Sequence, residues 1–329
     1  FLDGELRPAL RRLARFHFTL LVEVVTAVEA TDMLRQRVDV VVGDGRLARG
    51  DWLGHDDAYF CSTQTPSLSV IIPAYNEEET IRACVLAALH QTFPADEIIV
   101  VDNKSTDGTA AIVHALQATF PEAPIIYLEQ NALQGLIPTR NFGLDHATSE
   151  VIGRIDADSV LEPTWVEAVK KAFENPEVAA CTGPVIYYDM PLRRFGHKAD
   201  DALRRALIKV TSEFHLLFGS NMAIRASAWR AIRDEACLDP EDELHEDIDL
   251  SLHLHANELR IAYSSEMVTG MSARRLDDSP VEFYNYVMRF ERTYQKHKIR
   301  KLSVRAPMAI FLSAYPALKV MREVTQLQR

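Results

Sequence analysis

Two aspartates one residue apart, Asp156 and Asp158, close an apolar run that begins at Val151. Buried carboxylates are costly unless something positive meets them. Hard divalent cations prefer carboxylate oxygen, so the pair could hold a metal ion and the phosphates it carries. The same two residues could equally mark a solvated turn from strand to loop. The spacing alone leaves both readings open, and the elements that carry the pair must decide.

Those elements alternate. Residues 68–72 form a short β-branched run closed by Pro73, as a buried parallel strand would be. A helix is expected over 77–90, with Ile81, Val85 and Leu89 on one face and acidic residues in its first turn. Residues 97–101 read as a second strand ending at Asp102, and Asp107 as the N-cap of a helix reaching about Ala118. A third strand is expected at 125–128, a helix at 141–147 and a strand at 150–155. Strands and helices joined by short connections predict an α/β fold, a mostly parallel sheet with helices on both faces. Tyr75, Asn76 and Glu77, then Asp102 and Asn103, then Asp156 and Asp158 all follow C-terminal strand ends. Open α/β sheets bind ligands at that edge, and the convergence favours a site over a turn.

The 329 residues are 47% hydrophobic and 25% charged, an ordinary globular balance. The net charge of -11 argues against a nucleic-acid partner. Cys61, Cys84, Cys181 and Cys237 lack metal-ligand spacing and read as reduced thiols in a cytoplasmic setting. No signal peptide is visible.

Four motifs in order carry a family resemblance: SVIIPAYNEEETI from Ser69, IIVVDNKSTDGT from Ile98, PTRNFGLDHATSEVIGRIDADSVLEP from Pro138 and HEDIDLSLHL from His245. Together they resemble the inverting family 2 glycosyltransferases of GT-A fold, over residues 68–272. The resemblance implies transfer of a hexose from a nucleoside-diphosphate sugar, a UDP-sugar, to a saccharide or lipid-linked hydroxyl, as in polysaccharide biosynthesis. It assigns Pro73, Ala74, Tyr75 and Glu77 to the base and ribose, with Asn103 nearby. Asp102 would accept a hydrogen bond from uracil, and Arg140 would lie near the nucleotide. Asp156 would face the ribose or sugar, and Asp158 would hold Mn²⁺ or Mg²⁺ on the diphosphate. Glu246 and Asp247 match the acidic pair beside the acceptor, with Asp247 as general base. A nucleotidyltransferase is the enzymatic alternative, disfavoured by the acidic residues after the first strand. A catalytically silent nucleotide-sugar binder is the other.

Several residues have blander readings. Asp102 could cap a turn with Asn103 and Ser105, and Glu78 and Glu79 could merely complement a helix N-terminus. Nine carboxylates fall between Asp234 and Asp249, most of them solvated, and Asp249 competes with Asp247 as the functional acid. The alternation of Ile248, Leu250, Leu252 and Leu254 fits helix or strand. Gly219 to Arg225 resembles the segment beneath the acceptor, or else is a turn. Trp229 reads as core. Relatives often place a metal-binding histidine where this chain has residues 264–272, and none stands there. Arg274 and Arg275 could meet the diphosphate instead, or form a surface loop.

Three regions are expected: an N-terminal extension at 1–66 with its own small fold, the GT-A domain at 67–272, and a basic then apolar helical extension at 273–329. Seven Lys or Arg residues against one Glu fall between Arg289 and Arg305, before an uncharged run too short to span a bilayer. Residues 289–321 could therefore lie on the inner face of a membrane as a peripheral contact, or pack on the protein's own core.

Overall fold

A computed structural model describes residues 65–326, apart from 192, 211–214, 237, 240–242 and 302. The small fold expected at 1–66 lies outside them but for its last two residues.

Strand β1 (Leu68–Ala74) is buried along its whole length. It pairs in parallel with β2 (Glu97–Asp102) on one side and β4 (Val151–Arg154) on the other. Strand β3 (Ile125–Glu129) extends the sheet beyond β2. On the other flank come β8 (Met222–Arg225), β6 (Val178–Thr182) and β9 (Arg260–Tyr263). Strand β8 runs antiparallel to both β4 and β6, while β9 is parallel to β6. The expected α/β sheet is thus present and mainly parallel. Its order reverses around β1, and the C-terminal ends of β1 and β4 flank the crevice where such sheets take ligands.

Alternation along β1 sorts the core. Val70 and Ile72 pack on α1 (Ile81–Leu89), α2 (Thr109–Thr119) and α4 (Trp165–Ala172). Ile71 faces the other layer, with α3 (Leu136–His146), α6 (Ala226–Ile232) and α7 (Glu246–Ala256). Trp165 lies against Gly153, where an added Cβ would come within 2.6 Å of the ring. Trp229 is core as expected, 2% exposed.

Three boundaries differ from expectation for local reasons. Helix α1 starts at Ile81, not Glu77, because 77–80 form a turn bound to the loop after β2: the Glu77 N–H donates to Thr109 Oγ1 (2.8 Å) and the Glu78 N–H to Asp107 Oδ2 (3.1 Å). The acidic residues expected in its first turn therefore precede it. The assigned N-cap of α2 is Gly108, one residue later than expected, but Asp107 still caps the helix with its side chain, accepting from the N–H and hydroxyl of Thr109. Helix α3 begins five residues earlier than expected, since Pro138 is tolerated in a first turn.

Ile248 to Leu254 alternates yet is helical. Helix α7 is buried on two sides. Leu250 and Leu254 meet the sheet layer, while Ile248 and Leu252 meet α8 (Pro280–Lys296) and α9 (Ala306–Gln326). Two i,i+4 pairs on different faces mimic strand alternation.

The tail packs on the protein's own core. Phe283, Val287, Phe290 and Tyr294 of α8 share one apolar cluster with Met308 and Tyr315 of α9. Part of its basic charge is internally paired, with Arg305 on Glu291 at 2.6 Å. Residues 273–326 belong to the same compact unit as the sheet. Among the described residues no helix is long and apolar enough to cross a membrane. A second small sheet joins β5 (Val160–Leu161), β10 (Thr269–Met271) and β7 (Val185–Tyr187), tying the segment after Asp158 to the one leading to Arg274. The remaining helix, α5 (Arg193–Val210), follows β7.

Candidate active site

A cavity of about 550 Å³ opens at the C-terminal edge of β1 and β4. Pro73, Ala74, Tyr75, Glu77, Asn103, Arg140 and Asp156 line one half of it, and Glu246 and Asp247 line the other. Of the eleven residues expected at the site, only Asp102 and Asp158 stand behind this surface.

The donor-side loops are fixed by side chains. Asn76 sits at φ 53° and receives the Thr106 N–H on Oδ1 at 2.8 Å. Glu78 accepts from Gly108 N–H at 2.7 Å, so it anchors a loop rather than only complementing a helix. Asn103 spends its amide on backbone: Nδ2 donates to the carbonyls of Gln130 and Leu133, and Oδ1 accepts from Gly135 N–H. Asp102 does what the blander reading foresaw, accepting from Ser105 N–H at 2.8 Å, and its other oxygen accepts from Tyr127 hydroxyl at 2.7 Å. Each carboxylate oxygen keeps a second lone pair for a ligand. Tyr75 is half exposed at the rim.

Arg140 joins the two acidic motifs. Its Nη2 bonds Asp156 Oδ1 at 2.7 Å and its Nη1 bonds Glu246 Oε1. Arg154 meets the same Glu246 oxygen at 2.8 Å and donates through Nε to the Gly219 carbonyl at 3.0 Å. The Gly219 N–H in turn donates to Asp247 Oδ2 at 2.9 Å. An added Cβ at Gly219 would fall 2.0 Å from Arg154 Nη2, so a larger residue there would have to push that guanidinium off its place.

These contacts drive the two neighbouring acids apart. Burial would raise Glu246, but Arg140 and Arg154 outweigh it and hold the carboxyl well below its usual range. Burial and the adjacent Glu246 charge push Asp247 up, against the Gly219 N–H. Glu246 is therefore a fixed anion, and Asp247 is the more basic carboxylate facing the cavity. Burial lowers His245 to about 4, which keeps it neutral; its Nε2 lies 3.1 Å from the Tyr286 carbonyl.

Asp158 is 7% exposed. Its Oδ2 lies 3.1 Å from Arg274 Nε, and Arg274 Nη2 reaches Glu77 Oε1 at 3.4 Å. Burial first, then the Asp156 and Glu77 charges, push the Asp158 carboxyl up to about 6 despite Arg274. Asp156 and Glu77 lie near enough for their charges to act on Asp158, and a carboxylate with only one partly exposed guanidinium against it offers a hard oxygen to a divalent cation. Arg274 is thus no free surface residue: it bridges the carboxylate expected to hold metal and the one expected near the nucleotide.

Asp249, the rival to Asp247, faces away. It is 1% exposed, and its Oδ1 lies 2.8 Å from His297 Nε2 and 3.3 Å from Lys296 Nζ. With His253 these groups could ligate a metal, but the lysine already compensates the carboxylate. Cys84 and Cys181 are free and buried; Cys61 and Cys237 lie outside the described residues.

Sequence reasoning missed Arg154 and the Gly219 N–H. Arg154 had a signal, since a guanidinium inside an otherwise buried strand demands an anion. The Gly219 bond had none, because a backbone donor carries no residue type.

The profile of glycosyl transferase family 2 matches residues 69–237, just over half of the chain. The chain belongs to glycosyl transferase family 2. Among family 2 relatives, glycosyltransferase AglE of Haloferax volcanii is 35% identical over 104 residues, 31% of this chain and 34% of that protein. The matched stretch spans about a third of the length of this and other curated relatives. Among solved structures, the mannosyltransferase PcManGT of Pyrobaculum calidifontis, in complex with GDP-Man and Mn²⁺, superposes with a TM-score of 0.59 at 18% identity, covering 94% of this chain and 86% of that one. Glucosyl-3-phosphoglycerate synthase of Mycobacterium tuberculosis, in complex with Mn²⁺, UDP and glucosyl-3-phosphoglycerate, superposes at 0.50 and 16%, covering 76% and 88%. The family 2 chain therefore has the GT-A fold.

Proposed function

We propose that this family 2 protein transfers a sugar, with inversion, from a nucleoside-diphosphate sugar to a hydroxyl of a saccharide or lipid-linked acceptor. One observation carries the proposal: Arg140 ties Asp156, at the end of β4, to Glu246, at the start of α7, so that Asp247 shares a cavity with the ligand-binding edge of the sheet. The named ligands of the solved relatives, UDP with Mn²⁺ and GDP-Man with Mn²⁺, support a nucleotide-sugar donor. Tyr127 and Ser105 already orient Asp102, which leaves it a lone pair for an N–H of uracil. UDP is therefore the nucleotide preferred here.

Asp158, with Asp156 and Glu77 close by, would hold Mn²⁺ or Mg²⁺, which when bound would neutralise the departing diphosphate as a Lewis acid. Arg274 would leave Asp158 and turn to the diphosphate, where a guanidinium suits phosphate oxygens. Asp247 accepts the proton of the attacking acceptor hydroxyl. The new bond forms at the anomeric carbon from the face opposite the leaving group, and the electrons of the broken bond go to the nucleoside diphosphate. Glu246 is too strongly held by its two arginines to take that proton; it keeps Asp247 basic and aligned.

Turnover of a UDP-sugar panel with Mn²⁺ tests the proposal, alongside UDP binding titrated with Mn²⁺. Asp158→Ala should abolish the Mn²⁺-dependent part of UDP binding and most turnover. Equal binding and turnover by both proteins would discard the metal assignment, and no nucleotide-sugar turnover by the wild type would discard the transferase.

A further inference from the structure

The acceptor half of the cavity is built differently from the rest of the surface. The chain carries a net charge of -11. Five arginines line the cavity against four carboxylates: Arg140, Arg204, Arg274, Arg275 and Arg289 against Glu77, Asp156, Glu246 and Asp247. Arg140 is held by Asp156 and Glu246, and Arg274 by Glu77 and Asp158. The other three stand on the acceptor side, on three separate segments, so no single helix face accounts for them.

Two of the three are mounted on aromatic rings. The Arg204 guanidinium carbon lies 3.7 Å from the centre of the Phe218 ring, next to the Gly219 that binds Asp247. Arg204 is 9% exposed; Nε is paired with Asp200 at 2.6 Å, while Nη1 is buried without a hydrogen-bond partner. A buried guanidinium N–H left without an acceptor is costly, and a ligand oxygen is one way to satisfy the group. The Arg275 guanidinium lies 4.5 Å from the centre of the Tyr286 ring, and its Nη1 pairs with Asp278 at 3.0 Å. Tyr286 and Arg289 are one turn apart on α8. A guanidinium held over a ring is steadied there, and its planar fork of N–H donors is the group that reads carboxylate and phosphate. A neutral saccharide offers no charge for these three cations to meet.

Resting on the transferase reading, we infer that the acceptor is anionic: a saccharide carrying a phosphate or a carboxylate close to the hydroxyl that is glycosylated, with Arg204, Arg275 and Arg289 receiving that group. Phe290 and Phe311 also line the cavity and would contact the apolar part of such an acceptor.

Calorimetry on the full chain loaded with UDP and Mn²⁺ tests this, so that the diphosphate position is already filled. The probes are glucose 1-phosphate, glucuronate and glucose. At least one anionic sugar should bind about tenfold or more tightly than glucose, a margin of about 1.4 kcal/mol. A preference for the phosphate identifies a phosphorylated acceptor, and one for the carboxylate a uronate. Arg275→Gln combined with Arg289→Gln should erase the margin while leaving UDP affinity unchanged, as should Arg204→Lys, which keeps the charge but loses the fork. Equal binding of all three sugars, or a margin that survives these substitutions, overturns the inference. A fall in UDP affinity in the double variant also overturns it, by placing the arginines at the diphosphate. Failure of UDP and Mn²⁺ to bind the wild type at all would instead sink the transferase reading beneath it.

Discussion

Two acidic motifs face one cavity and are neutralised in opposite ways. Glu246, at the start of α7, is clamped by Arg140 and Arg154, whose side chains are 7% and 1% exposed. Asp158, beyond β4, has Arg274 alone among the described cations, on a side chain 58% exposed. Buried compensation is permanent, because withdrawing either partner leaves an unpaired charge in a low dielectric. Exposed compensation is exchangeable, because water can replace it. On the proposed mechanism the first motif is scaffold for Asp247, and the second is where an external cation would displace Arg274.

The sharpest way to test the scaffolded side is Asp247→Asn. It should lower kcat about 1000-fold, within the range of roughly 10² to 10⁴ for a general base, with UDP affinity retained. The wild-type kcat/KM should rise with pH along an acid limb, because the base must lose its proton. Since burial raises Asp247, that limb should lie above the ordinary carboxylate range and be missing from the variant. An unchanged limb in Asp247→Asn assigns the base elsewhere.

Next in size is Arg140→Met, which strips Asp156 of its ion pair and Glu246 of one of its arginines. Breaking a buried pair costs about 3 kcal/mol or more, read as a lower midpoint in chemical denaturation. A loss under about 1 kcal/mol, the level of a surface pair, would erase the contrast between the motifs.

The smallest effect is expected from Arg274→Gln. With its competitor gone, Asp158 should bind Mn²⁺ alone a few-fold more tightly. UDP in the presence of Mn²⁺ should bind a few-fold more weakly. A parallel fall in both affinities would mean that Arg274 only supports the loop.

Much of this was legible in residue types. The β-branched runs that form β1 and β2, and the polar residues after them, reveal a parallel sheet and its binding edge, because apolar periodicity and strand ends are local properties. Residues 248–254 were ambiguous because a helix buried on two faces loses its single stripe, and only the packing of α8 and α9 on one side shows why. Glu78 reads locally as a helix-end charge because the partner it anchors, Gly108, lies thirty residues away in sequence. Cross-loop hydrogen bonds leave no mark on local spacing.

By itself the sequence determined the sheet, the family and the acids that could serve. Carboxylates at strand ends and a run of motifs are written in residue order. Only the tertiary structure decided how those acids divide. Asp247 and Asp249 are two residues apart on one helix, yet one meets the Gly219 N–H beside the cavity and the other meets His297 and Lys296 behind it. At about 100° per residue a two-residue step turns a side chain to the far side of the helix, and what waits there is supplied by distant segments of the chain.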